Sequence, residues 1–376
     1  MTVPMAADPL GFVTPKKIQH RDLEQTRKAL AGWMAGRLPG VGELDLSPLA
    51  VPEGNGVANE TVVFTARYTD TGGRRSRRFV ARLESSQPLF TGTSLADHVD
   101  MATLLATQPG VPVPGVVGLE EDPSVLGAPF FVMEHVSGLV PSDRPHWSEA
   151  GWLADASPAD RRSLWESAVT VMAGIHRVDS ALAPFLQRPD DGRSGLEQGL
   201  THWSRYYAWA AGGRNHPVME AGLEWLEANL PAAPVTGLAW GDSRIANMIF
   251  RRFCCVAVLD WDMVSLAGPE SDLGWWIIQD HGAPRHLDGM GTPRETVELW
   301  EAVSGRQAGD LHFSLVFNTF RLGAIRMRLA RQLAAEDRLP PEMAGLETNN
   351  VAIQQLALLL GLDPPGPLTA TLPDLD

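Results

Sequence analysis

Apolar side chains recur at helical spacing over Arg21–Leu38, where Leu23, Leu30, Trp33, Met34 and Leu38 share one face of a helix that the Pro39-Gly40 pair ends. The period then drops to two. Residues 61–70 (TVVFTARYTD) and 74–84 (RRSRRFVARLE) alternate on either side of a TGG turn and predict a β-hairpin. Helical spacing returns over 95–106, while 111–122 (VPVPGVVGLEED) and 128–138 (APFFVMEHVSG) read as extended, the latter closed by a glycine turn. The first third is therefore a small, largely antiparallel β unit with one or two helices.

After Gly138 the pattern changes. A loop rich in Pro and Trp leads into a helix over 160–179 that buries Leu164, Ala168, Val171, Met172 and Ile175. Further helical patterns cover 197–211, 216–229, 293–304, 311–335 and 350–361, interrupted near 235–265 by short strands. There is no internal repeat and no heptad array. The pattern divides the chain into a surface arm (1–20), a β-rich N-lobe (21–137), a larger helical C-lobe (138–364) and a flexible tail (365–376) whose LPDLD end and prolines promise little core. A length of 376 residues suits two lobes with a cleft between them.

Charge narrows the partners. Thirty-one Lys and Arg against 45 Asp and Glu give −14, and no basic block occurs, so neither nucleic acid nor an anionic membrane is expected. The balance permits a cationic substrate without requiring one. Cys254 and Cys255 are adjacent and cannot reach ordinary disulfide geometry, which points to a reducing compartment and a cytoplasmic protein. The start, MTVPMAADPLGF, has no basic region ahead of an apolar core, and no stretch approaches about eighteen apolar residues.

The candidate chemistry sits in the interruption. LAWGDSRIANMIF places Asp242 and Asn247 five positions apart, and a hairpin of NMIF and VAVLD returns the chain to Asp260. Its two ends lie close together, so Asp242, Asn247 and Asp260 can converge. That trio suits phosphoryl transfer, which needs a carboxylate to orient the attacking hydroxyl and oxygen ligands for Mg2+. Competing signatures are absent: there is no G-x-x-x-x-G-K-[ST], H-E-x-x-H, C-x-x-C or G-x-S-x-G.

WGDSRIANMIF…VAVLDWDMVSLAGPESDLGW resembles the core of the aminoglycoside phosphotransferase-like family, H-G-D-x-x-x-x-N followed by a short hairpin, a D-W/F-D/E run and a D-P-x-x-D-L-type run. It is close to the subgroup that includes actinobacterial members and the phosphotransferase domains associated with acyl-CoA dehydrogenase-like proteins. The resemblance implies an α+β, bilobal protein-kinase-like fold and an ATP- and Mg2+-dependent transfer to a small-molecule hydroxyl, with an aminoglycoside or a hydroxyacyl compound as acceptor. By the same resemblance Asp242 is the base or hydroxyl-positioning group, Asn247 and Asp260 hold the metal, and Asp272 braces the catalytic loop. Asp262 either adds charge beside the metal or is a surface carboxylate.

GNGVANETVVF resembles the family's phosphate-covering loop, with Gly54, Gly56, Asn59 and Thr61 at the nucleotide. Arg82 stands where the family carries a phosphate-pairing Lys; the usual helix Glu partner is not plainly present, Asp97 and Asp100 either taking its place or facing solvent, and backbone at Met133, Glu134, His135 and Val136 would bind adenine. Trp240 replaces the usual His before Gly-Asp. Arg244 either neutralises the phosphoryl group, binds an acidic substrate group or forms a salt bridge with Asp242 or a neighbour. His176 reads as a core or capping residue, and Trp275 and Trp276 as packing. The departures at positions 82 and 240 motivate an alternative, a nucleotide-binding pseudokinase or regulatory module.

Overall fold

The computed structural model describes residues 21–38, 43–52, 60–233, 235–309, 311–343 and 345–375. The expected arm, the Pro39-Gly40 stop and Gly54, Gly56 and Asn59 lie outside them. Helix α1 (Leu23–Ala35) starts on Asp22, whose carboxylate accepts from the backbone of Glu24 and Gln25, and it buries Leu30, Trp33 and Met34. Strands β1 (Leu44–Leu46), β2 (Glu60–Asp70) and β3 (Gly73–Leu83) follow, then α2 (Leu95–Ala106), β4 (Val116–Glu120) and β5 (Phe130–Glu134). They make a five-stranded antiparallel sheet in the order β1-β2-β3-β5-β4.

The period of two decides which side of the sheet faces the site. Val62, Phe64 and Ala66 of β2 and Phe79, Ala81 and Leu83 of β3 fill the N-lobe core with Trp33 and Phe130. Arg82 therefore points to the opposite face. The extended segment predicted over 111–122 is a strand only at 116–120, since Pro112 and Pro114 cannot donate to a ladder.

The larger lobe holds α3 (Pro158–His176), α4 (Gly195–Ala211), α5 (Pro217–Ala228), the hairpin β6 (Met248–Arg251)–β7 (Cys254–Val258), α6 (Pro269–His281), α7 (Pro293–Ser304), α8 (Leu311–Ala335) and α9 (Val351–Leu359). Helix α8 packs on α4, α5, α6 and α9, and α3 packs on α7 and β7. The helical periodicity did not single out α6. Its residues Leu273 to Ile278 are buried all round, so no polar stripe marks one face. Leu139 exchanges both backbone hydrogen bonds with Phe250, 2.8 Å each, tying the lobe junction to the hairpin. The preceding Gly138 is required there, since a Cβ would stand 2.6 Å from the Phe250 carbonyl oxygen.

The last residues differ from the compositional expectation of a flexible tail. Gln354 accepts from the backbone of Thr369 and Ala370 and donates to the Pro367 carbonyl, while Gln355 donates to that of Thr371. A proline-rich segment needs no core of its own when two buried glutamines satisfy its backbone. No helix among the described residues is long and apolar enough to cross a membrane.

Candidate active site

The loop preceding β6 is held from beneath by one buried carboxylate. Asp272, fully buried on the first turn of α6, accepts from the backbone N–H of Trp240 (2.6 Å) and of Gly241 (2.8 Å) and from His176 Nε2 (2.7 Å). Trp300 Nε1 donates to His176 Nδ1 at 2.7 Å, which fixes the tautomer with the proton on Nε2. Ser243 closes the arrangement by donating to the Asp272 carbonyl. Gly241 has φ +96°, and a Cβ there would lie 2.0 Å from the Met263 carbonyl oxygen, so only glycine permits this turn. Trp240 does the work of its own position: its indole N–H donates to the carbonyls of Leu259 and Asp260, linking the loop to the end of the hairpin.

On that base Asp242 is aimed by three donors. Its Oδ1 accepts from Trp275 Nε1 (2.8 Å), and its Oδ2 accepts from Asn247 Nδ2 (2.7 Å) and Arg244 Nε (3.2 Å). Arg244 also donates through Nη1 to both carboxylate oxygens of Asp143, at 2.9 and 3.0 Å, so it pairs with Asp242 and a neighbour at once. Burial pulls the Arg244 guanidinium down, but Asp242 and Asp143 outweigh it and hold the proton more tightly than usual. Because Asn247 spends its amide on Asp242, its carbonyl oxygen is left for a cation.

Asp260 follows β7 with φ +64°, a left-handed conformation that Asp tolerates and that is common where a side chain is re-aimed at a functional site. Burial raises its pKa, and the carboxylates of Asp262 and Asp242 raise it further, against Arg82. Asp262 is 8% exposed and so is not a surface carboxylate. It accepts from Arg82 at 2.5 Å and from His98 at 2.9 Å, and these partners overcome burial to hold its pKa well down. Arg82 reaches Asp260 as well, at 3.5 Å.

The expected partners of Arg82 are corrected by this geometry. Asp97 caps α2 through Ser94, Asp100 is exposed, and the residue that α2 sends inward is His98. A capping box consumes the first-turn carboxylate, and the sequence offered acidic residues where an imidazole does the bridging. Thr61 lies opposite Arg82 on β2. Met133 and Glu134 end β5, and His135 donates its backbone N–H to the Arg78 carbonyl.

Sequence reasoning missed Asp143, His98, the bond from Trp275 and, above all, Arg321. This guanidinium, 2% exposed, donates to Gly241 O (3.0 Å), Ser271 Oγ and Asn318 Oδ1 and lies 4.8 Å from the ring centroids of both Trp203 and Trp275. Burial lowers its pKa to about 10, with Asp272 and Asp242 acting the other way. Arg321 is one of four arginines on α8, so no local signal set it apart.

The donor set fits a hard cation. Asn247 and Asp260 offer oxygen, and the crowding of Asp242, Asp260 and Asp262 is the charge that a divalent ion relieves. Among the described residues no three His, Cys, Asp or Glu side chains form a cage. Mg2+ held mainly by nucleotide phosphates and water needs none.

A small antiparallel lobe, a helical lobe and a braced G-D-x-x-x-x-N loop at their junction define a kinase-like phosphotransferase fold. The phosphotransferase enzyme family (APH) matches residues 54–301, and the chain belongs to it. It is similar to a crystal structure of a candidate aminoglycoside phosphotransferase from Ralstonia eutropha JMP134, at 25% identity and TM-score 0.63, covering 85% of this chain and 93% of that one. The fold is shared with APH(4)-Ia in ternary complex with AMP-PNP and hygromycin B, at 15% identity and TM-score 0.54 over 88% and 98% of the chains. Acyl-CoA dehydrogenase family member 11 of Gallus gallus is 30% identical over 66% of this chain, and member 10 of Mus musculus 29% identical over 53%. The matched stretches are 30% and 18% of those proteins, so the chain spans less than a third of either.

Proposed function

We propose that the protein transfers the γ-phosphoryl group of ATP, with Mg2+, to a hydroxyl of a small molecule. The observation that carries this reading is the aim of Asp242: a carboxylate fixed by Trp275, Asn247 and Arg244 on a loop that Asp272 braces. Asp242 would accept the hydrogen bond of the attacking hydroxyl and orient its oxygen. Asn247 and Asp260 would hold Mg2+, which when bound neutralises phosphate charge. Arg82, crossing from the N-lobe, would balance the acidic cluster and meet the phosphates from above. Backbone at Met133 to Val136 would receive adenine, and the segment GNGVAN at 54–59 has the composition of a phosphate cover.

Most of the rate would come from positioning and charge, since phosphoryl transfer asks for little covalent help. Retention of Asp242, Asn247 and Asp260 favours turnover over a regulatory nucleotide-binding role. Both an aminoglycoside-like and a hydroxyacyl acceptor are compatible with family membership, because one core serves many substrates. The test is ATP- and acceptor-dependent ADP formation with phosphorylated product identified by mass spectrometry. Asp242→Asn should lower kcat by about 10²–10⁴-fold while nucleotide binding persists. Undiminished transfer by that variant would refute the role.

A further inference from the structure

A cavity of about 390 Å³ opens beside the site between the segment following β3, helix α4 and the stretch after Asp260. It is continuous with the catalytic loop through two contacts. Met263 lines it and packs against Gly241, and Trp203 lines it while stacking on the Arg321 guanidinium that donates to Gly241 O. A molecule seated there lies next to the loop that carries Asp242.

The lining is unlike what a polycation needs. Phe90, Trp203, Tyr206 and Trp209 supply an aromatic wall. Of the carboxylates, Asp191 is paired with Arg205 at 2.5 Å and Asp262 with Arg82 and His98, so neither stands ready for an ammonium group. Arg188 lines the cavity with its guanidinium on the carbonyls of Phe185, Gln187 and Gly92 and 3.4 Å from the Asp97 carboxylate. The Arg205 side chain is 65% exposed and uses only Nη1 on Asp191. His202 lies on the same face of α4. Burial drives its pKa down to about 4, and Arg321, Arg188 and Arg205 push the same way against Asp191 alone. Two arginines and two carboxylates thus line the pocket, and both carboxylates already have partners within the protein.

Resting on the phosphotransfer reading above, we infer that this cavity is the acceptor site and that it takes a hydroxyl compound with an apolar body and an anionic group, oriented by Arg188 and Arg205, rather than a polycationic sugar. The aromatic wall would hold the body, the arginines the anion, and the hydroxyl would reach Asp242. The anion's source, carboxylate or phosphate ester, leaves the chemistry unchanged.

The test is a series matched in length and differing in charge: 8-hydroxyoctanoate, 8-hydroxyoctyl phosphate, octane-1,8-diol and 8-amino-1-octanol, with kanamycin as polycation. Each is assayed for ADP release with product detection, and for binding to the nucleotide-loaded protein by calorimetry. The expected order is anion, then diol, then amine, with at least about tenfold in kcat/KM or Kd between anion and amine. The two anions tell carboxylate from phosphate. Arg205→Glu should collapse the ratio of anion to diol by about tenfold, and Arg188→Gln should reduce it less. Preference for the amine or kanamycin, or an anion-to-diol ratio that Arg205→Glu leaves unchanged, overturns the proposal. Binding in the expected order without any product would instead refute phosphotransfer and leave the pocket's charge selectivity standing.

Discussion

The Asp242 loop and the strand that carries Arg82 serve the same site but are secured in opposite ways. The loop is fixed from below within its own lobe, by Asp272, His176 and Trp300 in an unbroken buried chain of hydrogen bonds. Arg82 rides on a sheet with its own core and meets the C-lobe through ion pairs to Asp262 and Asp260. The loop's geometry therefore does not depend on how the lobes sit, whereas the Arg82 contacts do. The Asp242 loop is thus secured within one lobe, and the Arg82 ion pairs span the two.

The most damaging way to break that contrast is to remove the brace. Asp272→Ala leaves two backbone N–H groups and His176 without a buried acceptor, which should cost about 3 kcal/mol or more in denaturant unfolding and lower kcat at least about a hundredfold. Arg82→Met probes the other side. It should raise KM for ATP about tenfold with kcat changed only a few-fold, and lower stability by about 1–3 kcal/mol because Asp262 and Asp260 lose a buried counter-charge, as steady-state kinetics and melting would report. An equal fall in kcat and kcat/KM would mean that Arg82 acts in the transition state alone. Trp240→Phe sharpens the comparison within the braced region, since it strips the Leu259 and Asp260 carbonyls of their shared donor. A loss of about 1–3 kcal/mol is expected, with activity reduced less than by Asp272→Ala.

The smallest effect concerns Asp280, near the end of α6 and away from the loop. Burial pushes its carboxyl up to about 7 from an ordinary 3.8, with Trp276 offsetting part of the rise. Between those values the folded protein keeps a proton that the unfolded chain has released, so the stability contribution falls as pH rises across that window. Asp280→Asn should match the wild type near pH 4 and melt a few degrees higher at pH 8.

Much of the site was legible because its residues are local. Asp242 and Asn247 are five positions apart, and one short hairpin returns the chain to Asp260, so spacing alone brings them together. The strand period likewise turned Arg82 away from the N-lobe core. The partners were not legible. Asp97 and Asp100 looked suitable for Arg82 by charge, yet a capping box took one, solvent the other, and His98 turned inward. Arg321 gave no local sign that it would sit under Gly241, 80 residues away.

The sequence by itself determined the alternation that builds the sheet, the helices with a polar face, and the order Asp242, Asn247, Asp260 on a tight turn and hairpin, because each follows from periodicity or chain connectivity over a few residues. Only the tertiary structure decided which carboxylate each arginine meets, that α6 is a helix buried on all sides, that the last residues dock on Gln354 and Gln355, and that an aromatic pocket opens beside the Asp242 loop. Those outcomes depend on which distant groups are left to satisfy one another once water is excluded, and local pattern carries no record of that.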